Sequence, residues 1–479
     1  MAETHPRPHA IVFSYPYQGH ITPTLDLATN LASRGFTITY VQLEFVHHAI
    51  SNAHDGAEDV DFFVEARQSG LDIRYTTISD GFPLEFDRNL NLNEYWEGMI
   101  RDFPDRVDEL VGSLTRSDAS AAAFFLVADT LYTWPAAIAQ KHNLVNVSLW
   151  TGAATMFSIN YHLDLLSENG HSPYRGNDDE HINYIPGIQS IRPKDLMLCI
   201  QFPDVVPVLM KIVVKAFEQV KNADFILCNT VQELESECLS ALNLKQPTYA
   251  IGPVNHFSDF TKAVVIEKSL WAESDCTHWL SSKPPASVLY ISFGSLVQIN
   301  KQDIVEIAHG LLLSRVNFIW ILRTTDALPV GFQDDVKDRG LIVPWCNQNA
   351  VLSSPAVGGF LTHCGWNSVL ESMWSGVPMI CYPFYVDQPM NRKLVVDDWK
   401  VGIDLCDGGR VTSEGVDNKI NILMRGKSSI DLREQIKKVS KIMRNALETD
   451  GLSRRNFDQF VDDLRGRLSA RREDIGSNT

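Results

Sequence analysis

No run of apolar residues in this chain reaches the roughly 18–20 that a bilayer span needs. The run AAAFFLVA, ending at Ala128, has the length of a core strand. The opening MAETHPRPHAIVFSYPYQGH lacks the basic start and long apolar stretch of a secretory leader. The eight cysteines (Cys199, Cys228, Cys238, Cys276, Cys346, Cys364, Cys381, Cys406) contain no C-x-x-C pair, so they read as reduced thiols. A cytosolic protein is the expectation. Basic residues are also in deficit: 42 Lys and Arg stand against 59 Asp and Glu, a net charge of −17 spread along the chain. That balance argues against nucleic acid or an anionic membrane surface as partner, because both need a basic patch. No low-complexity tract occurs. The sequon Asn146-Val147-Ser148 lies in an apolar, strand-like run and reads as accidental. The acidic pairs Asp178-Asp179, Asp397-Asp398 and Asp462-Asp463 read as solvated surface, and no cluster has the spacing of a metal site.

What is present is an ordinary enzyme-like composition, 44% hydrophobic and 21% charged, in 479 residues, long enough for two or three domains. Short apolar runs alternate with amphipathic stretches, the pattern of βαβ units and parallel sheets. HAIVFSY (9–15) predicts a buried strand and YQGHITP the loop after it, with Thr22 capping a helix, Pro23 in its first turn and Gly35 at its end. FTITYVQ, Phe124–Val127, Val145–Leu149 and Phe225–Asn229 predict further strands. A second series follows Ile251-Gly252-Pro253: SVLYISFGS, FIWILR, GLIVPW, VGGFLT and VPMICYP. The expectation is an α/β protein with two doubly wound halves, 1–245 and 246–455, joined by a linker near 245–275. In the tail 456–479, Phe457, Phe460, Val461 and Leu464 recur at helical spacing, so this helix is expected to pack back on the first half. Ligands of such sheets bind beyond the carboxyl ends of the strands, which places the site in a cleft between the halves.

The most informative stretch runs from Trp345 to Gln388. VGGFLT reads as a strand, HCGWN as a turn, and SVLESMWSG as a helix closed by Gly376. A strand, a turn and a helix N-terminus present free amides and a positive dipole end, which suits a diphosphate. His363, Asn367 and Ser368 can donate hydrogen bonds there, and Glu371 can accept from a ribose diol. Trp345 offers a flat face to a base, and Asp387 and Gln388 can hold sugar hydroxyls. Other readings stand beside these. Ser368-x-x-Glu371 also fits a capping box, His363 a turn histidine and Trp345 a core residue.

This segment resembles the signature of the plant secondary-product UDP-glycosyltransferases, a family 1 group with the GT-B fold of two facing Rossmann-like domains. The Trp, Gln, Val-Leu, Gly-x-Phe-x-Thr-His-Cys-Gly-Trp-Asn-Ser, Glu, Gly-Val-Pro, Pro and Asp-Gln elements all stand in register without a gap. The resemblance implies that Trp345 stacks on uracil, Glu371 holds the ribose, and His363, Asn367 and Ser368 bind the diphosphate. It places Gln348 at the donor too, and Trp366, Asp387 and Gln388 at the sugar. The terminal Gln leans toward glucose. SVLYISFGS matches the donor-loop element, which makes Ser295 a phosphate or sugar contact. Two positions depart from the pattern: Asn347 replaces the usual Pro, and Ser354 the usual His. Altered loop packing, rather than lost activity, is the expected effect.

An acceptor hydroxyl needs a base to attack an anomeric carbon, and histidine suits cytosolic pH. His20 lies in the expected first loop, and Asp129 follows the strand FFLVA, where a carboxylate can orient an imidazole. Alone, His20 also reads as a surface residue and Asp129 as a helix cap. The family places its catalytic His in this loop and its Asp in the D-x-x-x-x-W context that Asp129 and Trp134 match. The resemblance therefore implies an inverting displacement, with UDP-glucose as co-substrate, no metal or other cofactor, and a monomeric enzyme. The acceptor pocket is expected from Tyr17, Phe82, Phe86, Trp96, Trp150 and Phe202, aromatics that suit a terpenoid or phenolic and that also read as core. The segment SDGFPLEFDRNLN (79–91) resembles a family subgroup without a predictable acceptor. Two rivals remain. A nucleotide-dependent oxidoreductase is disfavoured by the missing G-x-G-x-x-G after the first strand, and a non-catalytic binding protein by the presence of both His20 and Asp129.

Overall fold

The computed structural model describes residues 7–53, 61–118, 121, 123–174, 176, 180–257, 272–295, 297–406 and 409–476. The chain forms two compact units: Met1–Pro193 with Leu198–Leu270 and Ala446–Thr479, and Lys194–Met197 with Trp271–Asn445.

The first unit is built on β1 (His9–Phe13), β2 (Thr37–Leu43), β3 (Ile73–Ile78), β4 (Phe124–Asp129), β5 (Val145–Trp150), β6 (Phe225–Cys228) and β7 (Thr248–Ala250). They form one sheet in the order β3-β2-β1-β4-β5-β6-β7, with every neighbouring pair parallel. All residues of β1, β2 and β5 are buried. That is why these strands read as continuous apolar runs rather than alternating ones, since crossover helices cover both faces of a parallel sheet. The strand order reverses between β1 and β4, and this switch point locates a ligand site at the strands' carboxyl ends.

The second unit repeats the plan with β8 (Val288–Ser292), β9 (Asn317–Ile321), β10 (Gly340–Val343), β11 (Val357–Thr362), β12 (Met379–Cys381) and β13 (Gly402–Asp404). The order is β10-β9-β8-β11-β12-β13, again all parallel. Its switch point falls between β8 and β11. Leu289, Ile291, Phe318, Trp320, Leu361 and Ile380 form the centre of its core.

Several boundaries differ from expectation. The first helix spans Gln18–Ser33, so YQGHITP is mostly helix, and Thr22 is not its cap. Tyr17 holds the N-cap in an extended conformation, and the Thr22 hydroxyl instead accepts from Gln18 Nε2 at 3.0 Å. Pro23 is thus an interior residue, tolerated because its fixed φ is helical and only one backbone bond is lost. The first sheet extends past residue 245 through β7, which pairs with β6. Residues 258–271 of the expected linker and the pair Asp178-Asp179 lie outside the described residues. The tail helix spans Leu452–Gly476 within the first unit. Phe457 and Phe460 are buried, with ring contacts to Phe257 at 4.9 Å and Phe225 at 5.7 Å. Ser453 Oγ donates to the Gly252 carbonyl at 2.7 Å, and Asp463 accepts from Tyr249 rather than facing only solvent. Asn146 of the sequon is 3% exposed within β5. Among the described residues, no helix is long and apolar enough to cross a membrane.

Candidate active-site residues

In the first unit the chemistry gathers at the switch point. His20 stands in the first turn of the helix after β1, and Asp129 is the last residue of β4, the strand beside β1. His20 Nδ1 lies 2.7 Å from Asp129 Oδ2 and 2.9 Å from Thr151 Oγ1. The carboxylate is 1% exposed and the imidazole 22%. Asp129 Oδ1 accepts from the Leu131 N–H at 2.9 Å, which fixes its plane. A buried carboxylate on Nδ1 selects the tautomer with its proton there and leaves Nε2 unprotonated. Asp129 therefore orients a histidine and does not cap the next helix, which begins at Pro135. Thr151 was not foreseen, yet it follows β5 at the same carboxyl edge that singled out Asp129.

Four of the six expected acceptor aromatics connect to this pair. Tyr15 lies 5.4 Å from the His20 ring and stacks on Trp96 at 5.0 Å and 7°. Trp96 also meets Tyr17 at 5.8 Å and Tyr95 at 4.8 Å, and Tyr95 meets Phe82 at 5.8 Å. Phe82 stacks on Phe86 at 4.6 Å. The loop bearing these two phenylalanines is closed by Arg88, which donates to Asp80 from Nε at 2.7 Å and from Nη2 at 3.1 Å. Its guanidinium lies 4.0 Å from the Phe45 ring centre. Trp150 and Phe202 are not part of this group. The Trp150 indole packs on Phe157 and Phe217 and donates to the Ala153 carbonyl, whereas Phe202 is 43% exposed.

In the second unit the signature segment surrounds the end of β11. The helix there spans Trp366–Ser375, so Asn367 and Ser368 lie within its first turn rather than in the preceding turn. Gly365, at the N-cap, supplies no side-chain acceptor, and the first-turn amides have no partner within the helix. The capping-box reading fails because Ser368 is not the cap. Instead, Gln348 Nε2 donates to Ser368 Oγ at 2.9 Å and to Glu371 Oε2 at 2.7 Å. Both amide hydrogens of Gln348 thus hold the side chains of Ser368 and Glu371.

His363 is 9% exposed. A Cβ at Gly365 would lie 2.4 Å from its Nε2, and one at Gly294 2.6 Å. Only glycine allows the ring this slot, and Gly294 also adopts φ +73°. Burial depresses the His363 pKa to about 4, with the Ser292 backbone opposing weakly. At neutral pH the ring is therefore uncharged, able to donate a hydrogen bond without carrying a positive charge. The Ser295 loop is held by Arg323, whose Nη2 donates to the Ser295 carbonyl and to that of Gly294 at 3.1 Å.

Trp345 is half-buried, and its carbonyl accepts from the Ser274 N–H at 2.9 Å. Trp366 is buried, with its ring 6.1 Å from that of Trp399. Gln388 Oε1 accepts from the Phe384 and Tyr385 amides at 2.9 and 3.2 Å. Asp387 Oδ2 accepts from Asn391 at 2.7 Å. Of the two departures, Asn347 caps the helix Gln348–Leu352 by accepting from the Ala350 N–H at 3.0 Å. Ser354 Oγ accepts from the Ala356 N–H at 3.4 Å in the turn before β11.

Comparison with known proteins accords with this geometry. Residues 205–447 match the family described as UDP-glucoronosyl and UDP-glucosyl transferase. UDP-glycosyltransferase 86A1 of Arabidopsis thaliana is 50% identical, covering 97% of this chain and 96% of its own. The 7-deoxyloganetin glucosyltransferase of Gardenia jasminoides is 33% identical, covering 95% and 97%. Among solved structures, a UDP-glucose: anthocyanidin 3-O-glucosyltransferase in complex with UDP aligns with TM-score 0.81 at 24% identity, over 97% of this chain and 100% of that one. The α/β class with two Rossmann-like sheets is thus that of the GT-B glycosyltransferases. The chain belongs to the plant family 1 UDP-glycosyltransferases. It is an enzyme of UDP-sugar-dependent glycosyl transfer to small acceptors, which removes the oxidoreductase and binding-protein alternatives.

Proposed function

We propose that this enzyme transfers glucose from UDP-glucose, with inversion, to a hydroxyl or carboxyl of a small apolar acceptor such as a terpenoid or phenolic. The observation that carries the reading is the 2.7 Å contact between His20 Nδ1 and the buried Asp129 carboxylate. Nε2 takes the acceptor's proton as its oxygen attacks the anomeric carbon, the bond to UDP breaks, and Asp129 stabilises the imidazolium. The helix Trp366–Ser375 offsets charge growing on the departing diphosphate through its N-terminal amides, with Asn367, Ser368 and neutral His363 as further donors. Trp345 stacks on the base, Glu371 holds the ribose under the aim of Gln348, and Ser295, Trp366, Asp387 and Gln388 address the sugar side. The acceptor lies in the first unit against Tyr17, Phe82, Phe86 and Trp96. Glucose is favoured by Gln388 at the end of the signature and accords with the printed activity of the Gardenia relative.

The test is UDP release by purified protein given UDP-glucose and a panel of terpenoid and phenolic alcohols and acids, with products identified by mass. Acceptor-dependent release with a hexose adduct of inverted configuration, abolished in His20→Ala, is expected. Turnover that persists in His20→Ala, or retained configuration, would sink the mechanism.

A further inference from the structure

Asn391, in the helix Gln388–Lys393, is 0% exposed, and both of its amide hydrogens are committed. Nδ2 donates to the Cys364 carbonyl at 2.9 Å and to Asp387 Oδ2 at 2.7 Å. Both partners are pure acceptors, so the amide orientation is unambiguous: the reverse would set oxygen against oxygen. Among the described residues Asn391 Oδ1 has no hydrogen-bond partner, so it is the donors that hold the side chain in place.

The two acceptors belong to different turns. Cys364 lies between β11 and the helix Trp366–Ser375, directly before the amides that suit a diphosphate. Asp387 follows β12. Both turns carry a non-glycine residue in the left-handed region, Cys364 at φ +65° and Val386 at φ +60°. Such conformations persist only where the surroundings over-determine them, and the β-branched Val386 is especially costly. A single buried amide that bonds one strained residue and the neighbour of the other is such a determinant.

We propose that Asn391 is a positioning residue that sets the separation between the diphosphate turn and the Asp387 carboxylate, and thereby the enzyme's grip on the hexose. The inference rests on the reading of Asp387 as a sugar-facing residue. It predicts a division of effects, because UDP uses the diphosphate turn but has no hexose.

The experiment measures calorimetric affinities of the full-length protein for UDP and for UDP-glucose in wild type, Asn391→Ala, Asp387→Ala and the double variant. Asn391→Ala should weaken UDP-glucose about tenfold, the scale of a lost hydrogen bond to a charged group. Its affinity for UDP, which depends on the Cys364 turn but not on Asp387, should fall by a clearly smaller factor, and the double variant should lose no more of the preference for UDP-glucose over UDP than Asp387→Ala alone. Equal weakening of both ligands in Asn391→Ala, or losses that add in full in the double variant, would overturn the proposal. If Asp387→Ala leaves the ratio of the two affinities unchanged, the sugar-facing reading itself falls and takes the inference with it. Should Asn391→Ala not fold, Asn391→Ser carries the same comparison, since one hydroxyl proton can serve only one of the two acceptors.

Discussion

Replacing His363 by glutamine should remove a specific slice of the protein's acid sensitivity. The ring sits where a Cβ on either Gly365 or Gly294 would collide with it, and burial lowers its pKa from 6.5 to about 4. The folded state therefore refuses a proton that the unfolded chain accepts. Stability from this group is full above about pH 6.5, falls as pH drops toward 4, and changes no further once both states are protonated. At about 1.4 kcal/mol per pH unit, the whole window is worth about 3 kcal/mol, of which about 2 kcal/mol is lost between pH 7 and pH 5. His9 and His162 are also depressed by burial, but they titrate alike in both proteins and cancel in the difference. Urea unfolding followed by tryptophan fluorescence, across pH 4.5 to 7.5, gives that difference directly. The stability of wild type relative to the variant should fall by about 2 kcal/mol between pH 7 and pH 5. Parallel curves would refute the claim that His363 is held neutral, and with it the view that it meets a diphosphate as a hydrogen-bond donor only.

Asp129→Asn should lower kcat by about 10²–10⁴ with little change in UDP affinity, because the imidazole loses its tautomer and its counter-charge together; steady-state kinetics checks the first and calorimetry the second. Gly365→Ala keeps an ordinary backbone φ of −60° yet drives a methyl into His363. It should cost about 1–3 kcal/mol and weaken UDP binding, with the stability loss largely relieved by adding His363→Ala. Arg88→Ala leaves Asp80, 3% exposed, as an uncompensated buried charge, and should destabilise by about 3–5 kcal/mol in a denaturant titration. The exposed pair partner Arg101 should be replaceable by alanine with no shift in melting temperature.

The long buried strands were legible because parallel sheets leave no polar alternation to confuse them. β3 was not foreseen because only its two end residues are buried, and β7 and β13 because their three residues are only partly buried and, unlike the equally short β12, lie in no apolar run. The signature positions were legible as a gap-free pattern, but not the hydrogen bonds among them. Nothing local distinguishes Gln348, which aims Ser368 and Glu371, from a direct ligand contact. His20 was assigned to a loop because Thr22-Pro23 looks like a helix start, whereas the helix begins four residues earlier than Thr22. Trp150 and Trp96 are equally aromatic in sequence. Only tertiary packing gives the first to the Phe157 and Phe217 cluster and the second to the rings near His20.

The helix Leu452–Gly476 belongs to the first unit although the second is encoded almost entirely before it. During synthesis the second sheet can therefore close while the unit bearing His20 still awaits its last element. Phe225 and Phe257 keep exposed apolar faces until Phe460 and Phe457 emerge from the ribosome. A premature stop or a trimmed tail would thus damage the half of the enzyme that begins at its other end.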